Sequence, residues 1–476
     1  MANKEFRTES DLLGSKEVPA EAYYGVQTQR AIENFQISGR KLSDFPNFVK
    51  GLAITKKAAA IANGKVNMIT NEQSEAIQFA CDEILAGKYI DQFPVDMIQG
   101  GAGTSTNMCA NEVIANIALE HMGFHKGEYT KGCMPNDTVN GSQSTNDAYP
   151  CGIHMGLYLE HLELLEHLDL LAKSLEKKAD EFKNIIKMGR TQLQDAVPMT
   201  LGQTFGGFAS AIRIEMENLK HAAQDFLTHN MGATAIGTGI CAFPGYSALC
   251  NEALRKITGW DVKLADNLIE ATSSTACLVQ YSGAMKRLSL RINKICNDLR
   301  LMGSGPRCGL AEIHLPERQP GSSIMPGKVN PVIPEVMNQI NYKVIGNDTC
   351  VAMGCDNAQL ELNVMEPVMT YACFESVHLL MNGVDTLRTL CIDGIVANEK
   401  RCNELVENSI GIVTMLNPYI GYKQSTKVAK EALETGRGVK ELVLEHGYLT
   451  LEQYEKIMRP ENMLEPVFVE GVPLNH

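Results

Sequence analysis

Apolar side chains recur at helical spacing along two long stretches of the chain. In the first stretch, steps of four and three residues alternate through Tyr281, Met285, Leu288, Ile292, Ile295, Leu299 and Met302. In the second stretch, residues 155–186, a similar series runs through Leu157, Leu164, Leu168, Leu171, Leu175 and Phe182. Only a helix places such a series on one face. The pattern predicts two long helices, each roughly 40 Å at about 1.5 Å per residue, that pack their apolar stripes in a bundle.

Strand-like alternation of apolar and polar residues is scarce. Short candidates are Leu12–Val18 and Cys241–Tyr246, and no alternation of strands with helices follows them. Near the end of the chain, Gly436 and Gly447 are placed as C-terminal helix stops, and residues 450–453 match a capping box that opens another helix. The predicted fold class is therefore all-α, that is, mostly helical.

Loops divide this helical chain into three predicted domains. Residues 1–142 mix short helices with Gly- and Pro-rich connections and form an N-terminal mixed helical domain. Residues 143–397 hold both long stripes and form a central helical-bundle domain. Residues 398–476 contain shorter helices and form a small C-terminal helical domain.

The net charge of the chain limits the kinds of molecule that it is expected to bind. The chain has 476 residues and a net charge of −13, with 56 acidic and 43 basic side chains and no dense run of Lys or Arg. A nucleic-acid-binding protein needs a basic face, so we expect a small-molecule ligand and no nucleic acid. Because the global field disfavours anions, an anionic ligand must be held by locally placed donors.

Cysteine and histidine patterns indicate neither a disulfide framework nor a zinc site. The 14 Cys lie between Cys81 and Cys402 without a CxxC pair, and the 11 His form no HExxH pattern. The N-terminus lacks the apolar stretch of a signal peptide, and no run of about 18 apolar residues occurs. We therefore expect a cytoplasmic protein that does not interact with membranes.

Four polar segments lie at predicted helix boundaries. The first, residues 100–107, is Gly-rich and runs into a helical pattern, so that its amides and the helix start favour an anion. The second, residues 141–147, carries six polar side chains before a long helix, which is more than capping requires. The third, residues 189–195, lies between two long helices and is closed by Pro198; taken alone, it is equally consistent with a plain turn between those helices.

The fourth segment, residues 321–331, cannot be helical because prolines crowd it. Its paired serines, flexible glycines and single lysine, Lys328, are typical of a mobile catalytic loop. It is not a phosphate-binding Walker loop, because Val329 follows the lysine where Ser or Thr is required. Together, the four segments supply hydroxyls, amides and one ammonium, which suits a small ligand with two carboxylates.

The four segments are similar to those of a known superfamily. Residues 321–331 resemble the GSSxMPxKxN signature loop of the aspartase/fumarase superfamily, and GTSTNM-like, SQSTND-like and GRTxLQDA-like segments occur in the same order. The resemblance covers nearly the whole chain and is greatest to the aspartases. It implies a three-domain, mostly helical subunit whose central helices pack in a homotetramer, with each active site shared among three subunits.

The reaction that this resemblance implies is a reversible anti-elimination of ammonia from L-aspartate, which gives fumarate through an aci-carboxylate intermediate. Ser322 would be the catalytic base, acting as an alkoxide that needs loop amides and a nearby cation, Lys328. The implied substrate-binding residues fall into three groups. They are Thr104, Ser144, Thr145 and Ser323 for the doubly charged carboxylate, Lys328 and Asn330 for the α-carboxylate, and Asn146 and Thr191 near the amino group.

The alternative reading is a class II fumarase, and two positions distinguish it. Fumarases have His where this chain has Gln192, which we also count among the substrate-binding residues, and where it has Met134. Hydroxide needs a general acid to leave, whereas ammonium departs as ammonia without one. Some aspartases also carry His at the Gln192 position, so Gln argues against fumarase without being required for aspartase. His314, near the signature loop, remains open as an acid.

A second alternative is a catalytically silent structural member of the superfamily. Such a chain could lose the loop serine without penalty, whereas Ser322, Lys328 and Asn330 are all present here. The resemblance implies that no cofactor is required, and it leaves open a divalent cation such as Mg²⁺ as an activator. It also leaves open whether Glu335 orients Lys328.

Overall fold

The computed structural model of the chain describes residues 5–463 and 467–475. Its helices are α1 (Val26–Asn34), α2 (Pro46–Lys65), α3 (Asn71–Leu85), α4 (Thr104–His121), α5 (Thr145–Glu181), α6 (Leu201–Ala223), α7 (Tyr246–Thr258), α8 (Leu268–Ser273), α9 (Ala276–Met302), α10 (Val332–Asp356), α11 (Glu366–Leu390), α12 (Glu399–Glu407), α13 (Val413–Ile420), α14 (Tyr422–Thr435), α15 (Val439–Glu445) and α16 (Leu451–Ile457). Its strands are β1 (Phe6–Asp11), β2 (Gly14–Pro19), β3 (Ile186–Thr191), β4 (Gln194–Thr200), β5 (Thr228–His229), β6 (Lys263–Leu264), β7 (Ile313–His314) and β8 (Val396–Ala397), paired in four two-stranded sheets. The predicted mostly helical class is confirmed.

Both predicted long helices are present, and their apolar stripes are buried. The stripe of α9 is buried at all seven predicted positions, and the stripe of α5 is buried from Leu157 to Leu175, as is Phe182 just beyond the helix. Helix α5 has 37 residues and begins at Thr145, so the end of the polar second segment forms its first turn. The long helices α5, α6, α9, α10 and α11 make up the predicted bundle.

Strands were predicted less well than helices. The hairpin of β1 and β2, in which Phe6 pairs with Pro19, contains most of the predicted stretch Leu12–Val18. The prediction of a strand at Cys241–Tyr246 is wrong, because the chain forms turns there up to the start of α7.

Residues 189–195 lie between α5 and α6, as predicted, but they are not a plain interhelical turn. These residues form the tip of an antiparallel hairpin of β3 and β4, in which Thr191 pairs with Gln194. Gln192 and Leu193 both adopt left-handed backbone angles, with φ of 56° and 62°. Two such residues make the tight turn that matches the twist of a hairpin, but neither is the Asn or Gly that usually marks it.

The chain divides into two compact units. The first comprises the chain through Glu166, Glu215–Ser289 and Asn341–Met381, and the second comprises His167–Ile214, Leu290–Ile340 and the chain from Asn382 onward. Each unit has its own apolar core, which in the first includes Ile54, Ala58, Cys151, Met155, Tyr246 and Leu254. The core of the second includes Met188, Leu416, Val428, Leu442, Val443 and Tyr454. The three-domain division stays a prediction.

The predicted helix stops near the end of the chain are confirmed. Gly436 caps α14 in the left-handed region, with φ of 71°, and Gly447 follows α15 with φ of 65°. Thr450 and Gln453 form a reciprocal capping box at the start of α16. Among the described residues, no helix is both long enough and apolar enough to cross a membrane.

Candidate active site

The first unit brings the first and second polar segments into contact. Thr104 is the first residue of α4, and Thr145 is the first residue of α5. Asn107, in the first turn of α4, donates through Nδ2 to Thr145 Oγ1 at 3.2 Å and to Asn140 Oδ1 at 3.1 Å. Two helix starts, each bearing predicted donor residues, are therefore linked directly by one buried amide.

The start of α5 is fixed by a cap that uses two of its polar residues. The Ser144 hydroxyl accepts a hydrogen bond from the Asn146 amide at 3.1 Å, and Asp147 Oδ1 accepts one from the Ser144 amide at 3.0 Å. The other carboxylate oxygen of Asp147 accepts from the amides of Gly232 (3.1 Å) and Thr234 (2.9 Å). Burial raises the pKa of Asp147 to about 6 although these amides lower it. The donors on this turn are thus held on a rigid backbone.

The predicted donor side chains differ in the hydrogen bonds that they already make. The Thr145 hydroxyl oxygen accepts from Asn107, which leaves its hydrogen able to point toward a ligand. The Thr104 hydroxyl donates to the Gly101 carbonyl at 2.8 Å, so it must rotate before it can donate to a substrate. Asn146 donates through Nδ2 to the Ala235 carbonyl at 2.8 Å.

Lys56, in α2, is a component of this region that the sequence analysis missed. It has no exposed surface, and its ammonium donates to Asn140 Oδ1 and Gln143 Oε1, each at 2.9 Å. Burial lowers the pKa of Lys56 to about 7, and Asp147 is the leading charge that opposes this shift. A lysine is almost never fully buried without partners, but two adjacent lysines in an Ala-rich helix give no signal of which one turns inward.

In the second unit, the fourth segment forms a loop closed on itself. The amide of Gly321 donates to the Lys328 carbonyl at 2.7 Å, and Asn330 Nδ2 donates to the Gly321 carbonyl at 2.8 Å. A Cβ on Gly321 would overlap the Lys328 carbonyl oxygen, so only glycine fits there. The prediction that this segment is not helical is confirmed, since α10 begins at Val332.

Ser322 lies at the start of this loop with its side chain among backbone amides. Its Oγ accepts hydrogen bonds from the amides of Ile324 at 3.2 Å and Met325 at 3.0 Å. These are the loop amides that an alkoxide at this position was predicted to need. Ser323 and Lys328 are exposed in the single chain.

The hairpin tip with Thr191 and Gln192 is exposed and is anchored at its base. Glu312, which has no exposed surface, accepts from Arg190 at 2.9 Å and lies 3.6 Å from the Lys187 ammonium. Sequence reasoning missed this anchor, because 122 residues separate Arg190 from Glu312.

The ten predicted site residues are distributed over both units. Thr104, Ser144, Thr145 and Asn146 belong to the first unit, and Thr191, Gln192, Ser322, Ser323, Lys328 and Asn330 belong to the second. Of the two residues left open, His314 lies exposed in β7 and Glu335 lies in the first turn of α10. That all ten form one site stays a prediction.

The turn before α4 offers a test of how tightly the first segment is held. Gly103 caps the helix with φ of 86°, and an added Cβ would overlap the buried ring of Tyr149. Gly103→Ala is therefore expected to lower the free energy of unfolding by about 3 kcal/mol, since backbone strain and overpacking add. Denaturant unfolding measures this loss.

Gly87→Ala is the matched control for that substitution. Gly87 has nearly the same φ, 89°, but nothing lies within 4 Å of the position of its Cβ. Only the strain of about 1–2 kcal/mol is expected there. Equal losses in the two variants would show that Tyr149 does not restrict the turn.

Comparison with known proteins places these segments in a family. Residues 14–346 match the protein family described as Lyase, and residues 412–465 match the family described as Fumarase C C-terminus. The chain is 56% identical over 465 residues to the aspartate ammonia-lyase of Pseudomonas canavaninivorans, which covers 98% of each chain.

Two solved structures are similar over nearly the whole fold. The fumarate lyase:delta crystallin of Brucella melitensis bound to cobalt superposes with a TM-score of 0.93 at 46% identity and covers 97% of this chain and 100% of that one. The class II fumarase of Schistosoma mansoni has a TM-score of 0.90 at 34% identity and covers 98% of this chain and 100% of that one.

Proposed function

The chain belongs to the lyase family that contains aspartate ammonia-lyases and class II fumarases, and we propose that it removes ammonia from L-aspartate to leave fumarate. Its 56% identity to an aspartate ammonia-lyase, against 34% to a fumarase, supports the aspartase reaction. The observation that carries the proposed mechanism is the pair of amides that donate to Ser322 Oγ.

Ser322 is the proposed base. A serine hydroxyl does not ionise in bulk water near neutral pH, so the alkoxide must be stabilised where it forms. The amides of Ile324 and Met325 supply two hydrogen bonds to Oγ, and Lys328 supplies positive charge in the same loop. The alkoxide takes the proton from the carbon next to the β-carboxylate, and the electrons of that C–H bond move into the carboxylate.

The resulting aci-carboxylate carries an additional negative charge, which must meet donors that are already in place. Thr104, Ser144, Thr145 and Ser323 are the proposed donors, and each lowers the barrier by on the order of 3 kcal/mol. The fixed cap of α5 supports this role, because the turn that carries Ser144 and Thr145 does not need to reorganise.

The remaining contacts orient the substrate and release ammonia. Lys328 and Asn330 hold the α-carboxylate, whereas Asn146 and Thr191 lie near the amino group. Collapse of the intermediate breaks the C–N bond, and ammonium departs as ammonia with no acid to assist it. Gln192 fits this step because its side chain is neutral: it contacts the leaving group but cannot act as a general acid.

We propose that the active site is completed in a homotetramer, in which each site draws on three subunits. The exposure of Ser323, Lys328 and Gln192 in the single chain supports this assembly, since the charged intermediate needs a site closed to water. We also propose that no cofactor is required, with activation by a divalent cation such as Mg²⁺ left open.

Substrate choice tests the proposed function. We expect incubation with L-aspartate to produce fumarate, followed by its ultraviolet absorbance, and incubation with L-malate to produce none. Turnover of malate without turnover of aspartate would instead assign the chain as a fumarase. Failure with both substrates would point to the silent structural member.

A further inference from the structure

The ammonium of Lys56 is the centre of a buried polar cluster in the first unit. Three donors converge on Asn140 Oδ1: Lys56 Nζ at 2.9 Å, Asn107 Nδ2 at 3.1 Å and Asn111 Nδ2 at 3.2 Å. Lys56 also donates to Gln143 Oε1 at 2.9 Å. Lys56, Asn107 and Asn111 are each at most 1% exposed. Placing an ammonium here costs desolvation, so its retention calls for a role beyond filling space.

The two acceptors of Lys56 hold the turn that precedes the predicted donor residues. Asn140 donates through Nδ2 to the Gln143 carbonyl at 3.2 Å, and Gln143 donates through Nε2 to the carbonyls of Val139 (2.9 Å) and Gly141 (3.0 Å). Within this turn, Ser142 adopts a left-handed φ of 57°, which is unfavourable for a residue with a Cβ. Such a turn keeps its shape only when surrounding contacts impose it.

The turn leads without interruption into the start of α5. Ser144 is the residue after Gln143, and Thr145 is linked through Asn107 to the same Asn140 oxygen that Lys56 contacts. Lys56 therefore reaches Ser144 through the adjacent Gln143, and Thr145 through the side chains of Asn140 and Asn107.

We propose that Lys56 is a positioning residue of the active site. Its ammonium fixes the turn of residues 139–143, and so the direction in which Ser144 and Thr145 present their hydroxyls. Its charge also strengthens their donation to a carboxylate. The inference rests on the proposed function in one respect, namely that these hydroxyls face a dicarboxylate ligand.

The charge of Lys56 makes ligand affinity depend on pH. Three titratable groups face the ammonium, Asp147, Cys81 and Cys151, and burial lowers the pKa of Lys56 to about 7. The Lys56 side chain is therefore protonated below that pH and neutral above it, so the affinity for a dianion falls as the pH rises through 7. Ionisation of Asp147, with its pKa raised to about 6, acts in the same direction but at lower pH.

Titration of Lys56 changes folding stability in the opposite direction to ligand affinity. Between pH 7 and the usual lysine pKa of about 10.5, the unfolded chain binds a proton at Lys56 that the folded chain does not bind. The contribution of Lys56 to the free energy of unfolding therefore rises with pH across this window. If the affinity fell because the fold loosened, the free energy of unfolding would fall over the same pH range instead of rising.

Fumarate binding, measured by calorimetry on the full-length protein, tests this role without requiring turnover. We expect Lys56→Met to bind fumarate about tenfold more weakly than wild type at pH 6, and to lack the fall in affinity near pH 7. Lys57→Met is the control, because Lys57 is the next residue in α2 and pairs with Asp82 instead. It should bind as wild type does at both pH values.

Asn140→Asp keeps the inference testable if Lys56→Met folds poorly. A carboxylate 2.9 Å from the ammonium raises the pKa of Lys56, so the fall in affinity should move to higher pH. Equal binding by the Lys56 and Lys57 variants, or an unmoved step in Asn140→Asp, would overturn the inference. Wild-type protein that binds fumarate but does not convert L-aspartate would overturn the proposed function and leave the role of Lys56 standing.

Discussion

Ser322→Ala is expected to lower the turnover of L-aspartate by about 10⁴-fold, because a positioned base contributes up to about that factor to proton transfer. The side chain is half-buried, and its hydrogen bonds are those accepted from the amides of Ile324 and Met325. Its loss should therefore leave the proposed tetramer and its melting temperature unchanged. Steady-state rates, with sedimentation of the same samples, measure both effects.

Ser323→Ala is the matched variant for this prediction. It removes the neighbouring hydroxyl, which we propose as a donor to the intermediate and not as the base, so a loss of only about 10²-fold is expected. Substantial residual activity in Ser322→Ala, or equal losses in the two variants, would remove Ser322 from its proposed role.

Lys328→Met is expected to lower kcat/KM for L-aspartate by roughly 10³-fold, or about 4 kcal/mol. The side chain is exposed in the single chain, whereas its backbone closes the loop through the Gly321 amide. The substitution therefore removes the ammonium and retains the backbone contact. Because we propose that the same charge holds the α-carboxylate and supports the Ser322 alkoxide, we expect KM to rise and kcat to fall together.

Lys400→Met provides the control for loss of a lysine charge in the same unit. Lys400 is exposed, and its ammonium lies 3.9 Å from Glu404 in α12. Wild-type kinetics are expected for that variant. Unchanged kinetics in Lys328→Met would mean that the substrate carboxylate is held elsewhere.

The helical architecture could be predicted from the sequence, because local patterns determine it. The stripe from Tyr281 to Met302 is buried throughout α9, and the prolines around residues 321–331 exclude a helix there. A period of three and four residues, or a missing amide proton, acts within one or two turns of chain. Such features can be read without knowledge of what packs against them.

Features that depend on distant partners could not be predicted. The hairpin at Gln192 and Leu193 has no residue type that favours a left-handed angle, and its anchor joins Arg190 to the distant Glu312. The choice between Lys56 and Lys57 depends on which face of α2 meets Asn140. In the candidate site, the donor types were predicted, whereas the cap of α5 and the buried cluster that holds it were not.

Complementation between two defective variants tests most directly the central claim that separate copies of the chain build one active site. Ser322→Ala removes the proposed base from the second unit, and Thr145→Val removes a proposed donor from the first. If a site takes these residues from different subunits, co-expression produces hybrid tetramers in which about a quarter of the sites are intact. We expect turnover of L-aspartate to recover to about that fraction of wild type, far above either parent. Hybrid tetramers no more active than the parent variants would contradict a shared active site.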